Sequence, residues 1–323
     1  MGGATGDGGS AGSKGVGGDS GAPAGIRIEA TGQLEPTAIV ADDAAVYWCD
    51  QGTNVNNTFP DDDGSVMKLP LGGGAPIVLA KGGSPADLAV DASFVFWADK
   101  DGVHRVRKDG GGAELLAGDS RGAWTIALDG ARVYYVDAFA QFIESVPKQG
   151  GAAAALVPEQ QVQIGRIAVD ATYVYWTAFG TKAAHYADGF VARAPTAGGA
   201  IEILAGSQSH AWGIAFHDGN LYWSTEDGFA GPGSVWTMPE GGGTPLRIGA
   251  GPGTIYALEF SGASLYWGNY PSGPVTRTEL ASGVVTDLVA DRTVVDLAVA
   301  GGRVYWLDPY GYPDGGHVWS APD

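Results

Sequence analysis

The stretch ADLAVDASFVFWADKDGVHRVRKDGGGAELLA, residues 86–117, decides the fold. It opens on a short apolar run, Asp87-Leu88-Ala89-Val90, and turns at Asp91-Ala92-Ser93. Phe94-Val95-Phe96-Trp97-Ala98-Asp99 follows, rich in the aromatic and β-branched residues that fit a strand. Asp101-Gly102 reverses the chain into Val103-His104-Arg105-Val106-Arg107. Asp109-Gly110-Gly111-Gly112 reverses it again into Ala113-Glu114-Leu115-Leu116-Ala117. Short strands separated by Asp and Gly turns predict a four-stranded antiparallel unit.

That unit recurs. Its aromatic pair returns as Tyr47-Trp48, Phe96-Trp97, Tyr134-Tyr135, Tyr175-Trp176, Tyr222-Trp223, Tyr266-Trp267 and Tyr305-Trp306. The second members are 38 to 49 residues apart. A period near 40 residues marks a repeat architecture, and a repeated four-stranded unit marks a β-propeller. The expected fold is all-β, a seven-bladed β-propeller of four-stranded antiparallel blades.

Closure follows from the chain ends. After Val318-Trp319-Ser320 only three residues remain to Asp323, so the seventh unit holds three strands. Ile26-Arg27-Ile28-Glu29-Ala30-Thr31-Gly32 precedes the first unit and reads like a fourth strand. It is expected to complete the last blade, with Ile26 and Ile28 beside Val318 and Trp319. Such a strand leaves no open junction between blades. The propeller is therefore placed at residues 26–323.

Residues 1–25 differ, with eleven Gly and no aromatic residue. They cannot bury enough apolar surface to offset their ordering entropy and are expected to be a disordered tether. No charged segment followed by an apolar one is present, so this is not an intact signal peptide. The segment resembles the flexible tether behind the export signal of bacterial surface lipoproteins. That resemblance implies an extracellular, cell-surface or periplasmic location with the signal removed and Met1 a trimmed start. A plain flexible tail on a cytoplasmic protein is the other reading.

Composition excludes some partners. The chain has 36 acidic and 18 basic residues, a formal net charge of −18. A polyanion with no basic stripe is repelled by nucleic acid and by anionic membrane surfaces. No run approaches 18 consecutive apolar residues, so no membrane insertion is expected. The single cysteine, Cys49, lies at the end of a strand and reads as a small buried hydrophobe rather than a reactive thiol. The protein is expected to be a monomer.

The pairs and the residues after them resemble YWTD-type repeats, the class B repeats of low-density lipoprotein receptors, and their bacterial relatives. The matching pieces are Tyr47-Trp48-Cys49-Asp50, Phe96-Trp97-Ala98-Asp99, Tyr134-Tyr135-Val136-Asp137 and Tyr305-Trp306-Leu307-Asp308, with Leu88-Ala89-Val90-Asp91 upstream. The resemblance covers residues 36–323. It implies an extracellular protein-binding or scaffolding propeller with no catalytic residues, and a structural role for the Asp. Two departures stand out: that family usually closes with six blades, and Ala178, Thr225 and Asn269 replace the Asp in three repeats.

Function is expected on the face that carries the inter-blade loops and the loops joining second and third strands. The latter vary in length and include Gln51–Gly64, Phe179–Asp188, Thr225–Gly233 and Asp308–Gly315. The candidate ligand-binding residues are Arg121, Trp124, Arg166, His185, His210, Trp212 and Tyr256. Trp124 and Trp212 hold matching repeat positions, which suits packing between blades as well as stacking on a ligand. Arg121 and Arg166 either neutralise nearby carboxylates or face a ligand. Asp61-Asp62-Asp63-Gly64 is either a solvated acidic turn or a set of hard oxygen ligands for Ca²⁺; no other cofactor is expected. His185 and His210 are the histidines expected on this face, and no two of the five histidines share metal-ligand spacing. No nucleophile elbow, P-loop or dinucleotide fingerprint occurs. The expected function is an exported, non-catalytic binding or scaffold propeller that engages a protein or small ligand through its loop face, the expected partner there being a protein or a carbohydrate. The alternative is a lyase or hydrolase acting on an extracellular carbohydrate or peptide at the channel mouth.

Overall fold

The computed structural model describes residues 25–53, 62–118, 122–139, 141–160, 162–227, 231–310 and 315–323. Seven four-stranded antiparallel sheets form among them. In chain order the blades span 36–81, 87–118, 123–157, 164–205, 214–251, 258–292 and 297–322, numbered 1 to 7 below. The innermost strands are Pro36–Ala41, Asp87–Val90, Ala123–Leu128, Ile164–Val169, Ile214–His217, Leu258–Ser261 and Leu297–Ala300. The described residues include one short 3-10 turn, Lys182–Ala184, and no helix long and apolar enough to cross a membrane.

The last blade closes as expected. Its outer strand is Arg27–Gln33, hydrogen-bonded to Gly316–Pro322. Ile28 stands opposite Trp319, but Ala30, not Ile26, stands opposite Val318. An irregularity between Ile28 and Ala30 shifts the register by one residue. Ile26 precedes the strand and packs against the cluster shared by blades 6 and 7. Glu29 accepts a hydrogen bond from Ser320 Oγ and lies 3.9 Å from Arg303 Nε.

The aromatic pairs explain how the ring holds. Successive side chains on a strand point to opposite faces, so the two rings of a pair serve two different interfaces. The seven buried clusters obey one rule: the first aromatic of each blade packs with the second aromatic of the next. Tyr47 joins Trp97, Phe96 joins Tyr135, Tyr134 joins Trp176, and Tyr175 joins Trp223. Tyr222 joins Trp267, Tyr266 joins Trp306, and Tyr305 joins Trp48 to close the circle. Every ring in the set is buried, five of the tryptophans at 0 % exposure. Burying a side chain of this size contributes about 2–3 kcal/mol, so the pairs carry much of the inter-blade adhesion.

Asp residues organise the turns on both ends. Asp42, Asp129 and Asp170 each accept two backbone N–H bonds in the turn after the innermost strand. Their second oxygens accept from Tyr47, Tyr134 and Tyr175, the first aromatics of the same blades. The Asp two places after the aromatic pair forms a second turn. Asp99, Asp137 and Asp308 each accept from the backbone N–H two residues on, steering the chain into the loop face.

Candidate functional site

The register of the inner strands places the site. Ile39, Leu88, Ile126, Ile167, Ile214, Leu258 and Leu297 each stand opposite the second aromatic of their own blade. The residues two places earlier are therefore equivalent: Thr37, Ala86, Trp124, Gly165, Trp212, Tyr256 and Val295. All seven line one cavity of about 470 Å³ at the mouth of the central channel. The second-to-third loops add Gln51, Tyr270, Pro309 and Tyr310, and the entry to blade 1 adds Glu35 and Pro36. Both loop classes expected on the functional face thus meet at one mouth.

Aromatic side chains dominate one side. Trp212 meets Tyr256 edge to face at 4.8 Å between centroids. Tyr256 meets Tyr270 at 5.4 Å, and the Tyr270 and Tyr310 hydroxyls lie 2.6 Å apart. Trp124, at 40 % exposure, stands on the blade 3 side. The Trp212 indole N–H is buried and finds no acceptor among the described residues.

One step deeper the equivalent residues are Ala38, Asp87, Thr125, Arg166, Gly213, Ala257 and Asp296. Here the charges gather. Arg166 Nη1 lies 3.0 Å from Asp87 Oδ1, and Nη2 lies 3.9 Å from Asp296 Oδ2. Asp87 Oδ2 accepts from Thr125 Oγ1 at 2.6 Å and from the Ile126 N–H at 3.0 Å, tying blade 2 to blade 3. Asp296 Oδ2 accepts from the Ile39 N–H at 3.0 Å, tying blade 7 to blade 1. Burial pushes the Asp296 carboxyl up to about 6 even though Arg166 pulls it down. The same two aspartates and arginine extend into a lower cavity of about 220 Å³, which Glu259 also lines. Burial, with the nearby Asp296 charge, pushes Glu259 up to about 8.

The structure brings four of the seven candidates together: Trp124, Arg166, Trp212 and Tyr256 all line the mouth. Arg166 neutralises carboxylates and lines the cavity at once. His210 lies behind the wall, 4 % exposed, with Nδ1 2.7 Å from Glu226 Oε2. Phe179, Tyr186 and Trp212 pack around its ring at 4.9–5.4 Å. Thr254 Oγ1 donates to the other Glu226 oxygen at 3.0 Å, so the group links blades 5 and 6. His185 caps the turn after Lys182–Ala184 in a left-handed conformation and is exposed, outside the cavity wall. Arg121 lies outside the described residues, as do Asn54, Asn56, Asn57 and Asp61 of the long blade 1 loop.

The acidic turn is already engaged. Asp63 accepts from the Thr53 N–H and hydroxyl, both at 2.8 Å, and Asp62 pairs with Lys100 at 3.1 Å. Among the described residues no group of three His, Cys, Asp or Glu side chains is arranged to hold a metal ion. Cys49 is fully buried, and burial first, then the Asp87 charge, pushes its thiol well up.

Asp87, Asp296 and Glu259 escaped the reading of the sequence. Aligning the repeats on the aromatic pair would have found them. Asp87-Leu88-Ala89-Val90 and Asp296-Leu297-Ala298-Val299 share one motif, and Arg166 holds the same register as the two aspartates.

The fold has solved counterparts. A chain in the nidogen/laminin complex superposes with a TM-score of 0.56 at 20% identity, covering 70% of this chain and 90% of that one. Virginiamycin B lyase from Staphylococcus aureus superposes at 0.70 with 11% identity, covering 92% and 99%. A puromycin-hydrolyzing peptidase of Mycobacterium tuberculosis superposes at 0.69 with 15% identity, covering 90% of this chain and 51% of that one. No protein-family model and no curated protein sequence matches the chain. At these identities the likeness is one of fold, a propeller shared by proteins that bind and proteins that catalyse.

Proposed function

We propose that the chain is a binding propeller that takes its ligand, a carbohydrate or a segment of another protein, at the channel mouth. The observation that carries this is the cavity of about 470 Å³ to which all seven blades contribute, with five aromatic side chains in its wall. Concave, largely apolar sites with a few placed polar groups are where small ligands and anchoring side chains bind. The seven equivalent positions carry Thr, Ala, Trp, Gly, Trp, Tyr and Val, so the ring that builds the mouth varies where the blade scaffold does not. An extracellular or cell-surface setting suits this reading: the chain resembles YWTD-type repeats, and its first residues resemble an export tether.

The lyase or hydrolase reading rests on His210 as a base at the mouth, and His210 is instead turned into a buried pair with Glu226, which supports binding over that reading. The test is a glycan array and a displayed peptide library probed with the wild-type protein and with Trp212→Ala/Tyr256→Ala. Binders that weaken at least about tenfold in the variant support the reading, since aromatic anchors commonly contribute 2 kcal/mol or more. Binders that ignore the variant, or none at all, would overturn it.

A further inference from the structure

The mouth does not end at its floor. The upper and lower cavities share Asp87, Thr125, Arg166 and Tyr256 in their linings, so the aromatic mouth and the channel below it meet at this level. Glu259 lines the channel. It stands opposite Tyr266, as Val40, Ala89, Ala127, Ala168, Ala215 and Ala298 stand opposite the first aromatics of their blades. Six blades place a small apolar residue there; blade 6 places a carboxyl. Two strand residues separate it from the Asp87 level, about 7 Å.

The charges around it do not balance. Three carboxyls, Asp87, Asp296 and Glu259, share the lower cavity with one guanidinium, Arg166. Arg166 is taken up by the two aspartates, which also accept backbone N–H bonds from neighbouring strands. Among the described residues no donor reaches Glu259. Partial burial in the channel, with the Asp296 charge beside it, pushes this carboxyl up to about 8. Tyr256 and Arg166 face the same space from blades 6 and 4, and Asp87 and Asp296 from blades 2 and 7. Above them, the Trp212 and Tyr256 rings offer the kind of π faces that attract cations. The chain's net charge of −18 draws cations toward the surface.

We propose that the channel receives the cationic end of an amphipathic ligand, an ammonium or guanidinium on an apolar stem, with Glu259 as its counter-ion and the aromatic mouth as the seat of the stem. This rests on the mouth being the ligand site. The proton balance is explicit: Glu259, raised to about 8 in the empty channel, is mostly protonated at neutral pH. A cation arriving beside it favours the carboxylate, and the proton passes to solvent. Binding of a cation therefore releases a proton at neutral pH and strengthens as pH rises through about 8, whereas binding of a neutral stem does neither.

The experiment is calorimetric titration with 4-phenylbutylamine and its neutral counterpart 4-phenylbutan-1-ol, at pH 6.5 and 8.5, in buffers of different ionisation enthalpy. The amine is expected to bind at least about tenfold more tightly than the alcohol at pH 8.5, with a preference several-fold smaller at pH 6.5 and proton release there. Glu259→Gln should abolish the preference and the proton release. Equal affinities for the two probes in the wild type, or a preference that survives Glu259→Gln, would overturn the inference. If the alcohol binds and Trp212→Ala removes that binding, the mouth stands and only the channel inference falls. If neither probe binds, the channel inference falls, and the mouth is decided by the glycan and peptide libraries.

Discussion

Arg166 Nη1 reaches Asp87 Oδ1 at 3.0 Å from a blade two places further round the ring. The same guanidinium points its other nitrogen toward Asp296 on blade 7. One side chain thus spans the channel and balances carboxylates that fasten blade 2 to blade 3 and blade 7 to blade 1. Arg166→Ala would leave both carboxylates facing each other without a cation. The side chain keeps 27 % exposure, so the loss is set below that of a fully buried pair, at about 2–3 kcal/mol. Adding Asp87→Asn should recover part of it. Denaturant unfolding of the two variants checks this; a double variant less stable than Arg166→Ala would contradict it.

The N-terminal strand should be indispensable. Arg27–Gln33 forms the outer edge of blade 7, and Trp48 Nε1 of blade 1 donates to Gln33 Oε1 of this strand at 2.7 Å. A chain beginning at Leu34 loses both and exposes the edge of Gly316–Pro322. Its melting temperature should fall by more than about 10 °C, or its unfolding should lose cooperativity. A chain beginning at Gly25 should melt like the parent. If the shorter chain also melts like the parent, the closure is wrong.

Stability should decline as pH rises from about 4 to about 8. Burial raises Asp50 to about 7, Asp296 to about 6 and Glu259 to about 8, against values near 4 in an unfolded chain. The folded state then binds more protons than the unfolded state across that window, so each group's contribution is whole below pH 4 and lost as pH climbs through its folded value. Asp42, Asp91 and Asp129 run the other way. Partial burial pushes each up, but turn amides and Lys or Tyr partners outweigh it and hold each carboxyl low. Their contribution is present above about pH 4 and is lost as pH falls below it. Glu259→Gln should raise the melting temperature at pH 8 by a few degrees and leave it unchanged at pH 4.5. Equal effects at both pH values would contradict this assignment.

The turn aspartates allow a local test. Asp170 Oδ1 accepts from the Thr172 and Tyr173 N–H groups at 2.6 and 2.7 Å, and Oδ2 accepts from Tyr175 Oη at 2.7 Å. Asp170→Ala should cost about 1–2 kcal/mol and Tyr175→Phe about half of that, because the Phe variant keeps both turn amides satisfied. Blade 2 already carries Phe96 at this place, and Asp91 there pairs with Lys148 at 3.2 Å instead. Thermal melts of the two variants give the ranking; a Phe variant as weak as the Ala variant would refute it.

The fold was legible because its determinants repeat. Aromatic pairs, Asp turns and Gly reversals occur at fixed offsets, so seven blades and their closure followed from spacing alone. The one-residue shift at Glu29 was not legible, since an irregularity in one strand leaves no mark on an alternating pattern. The site was half legible. Trp124, Trp212 and Tyr256 stand out as large side chains just before inner strands. Tyr270 and Tyr310 reach the mouth from loops whose path no periodicity records. His210 looked like a site residue and is part of the frame, because its partner Glu226 sits sixteen residues away across a loop. Glu259 hid inside an ordinary strand and becomes visible only against its six small counterparts.

The channel mouth as the ligand seat is tested most directly by the indole resonances of the ten tryptophans. The protein, labelled with ¹⁵N at tryptophan, would be titrated with the tightest binder from the glycan and peptide libraries. The expected result is that the Trp124 and Trp212 signals shift with one common affinity while the fully buried Trp48, Trp176, Trp223, Trp267 and Trp306 stay put. Shifts confined to Trp236 or Trp319, with Trp124 and Trp212 unmoved, would place the ligand elsewhere and contradict the account.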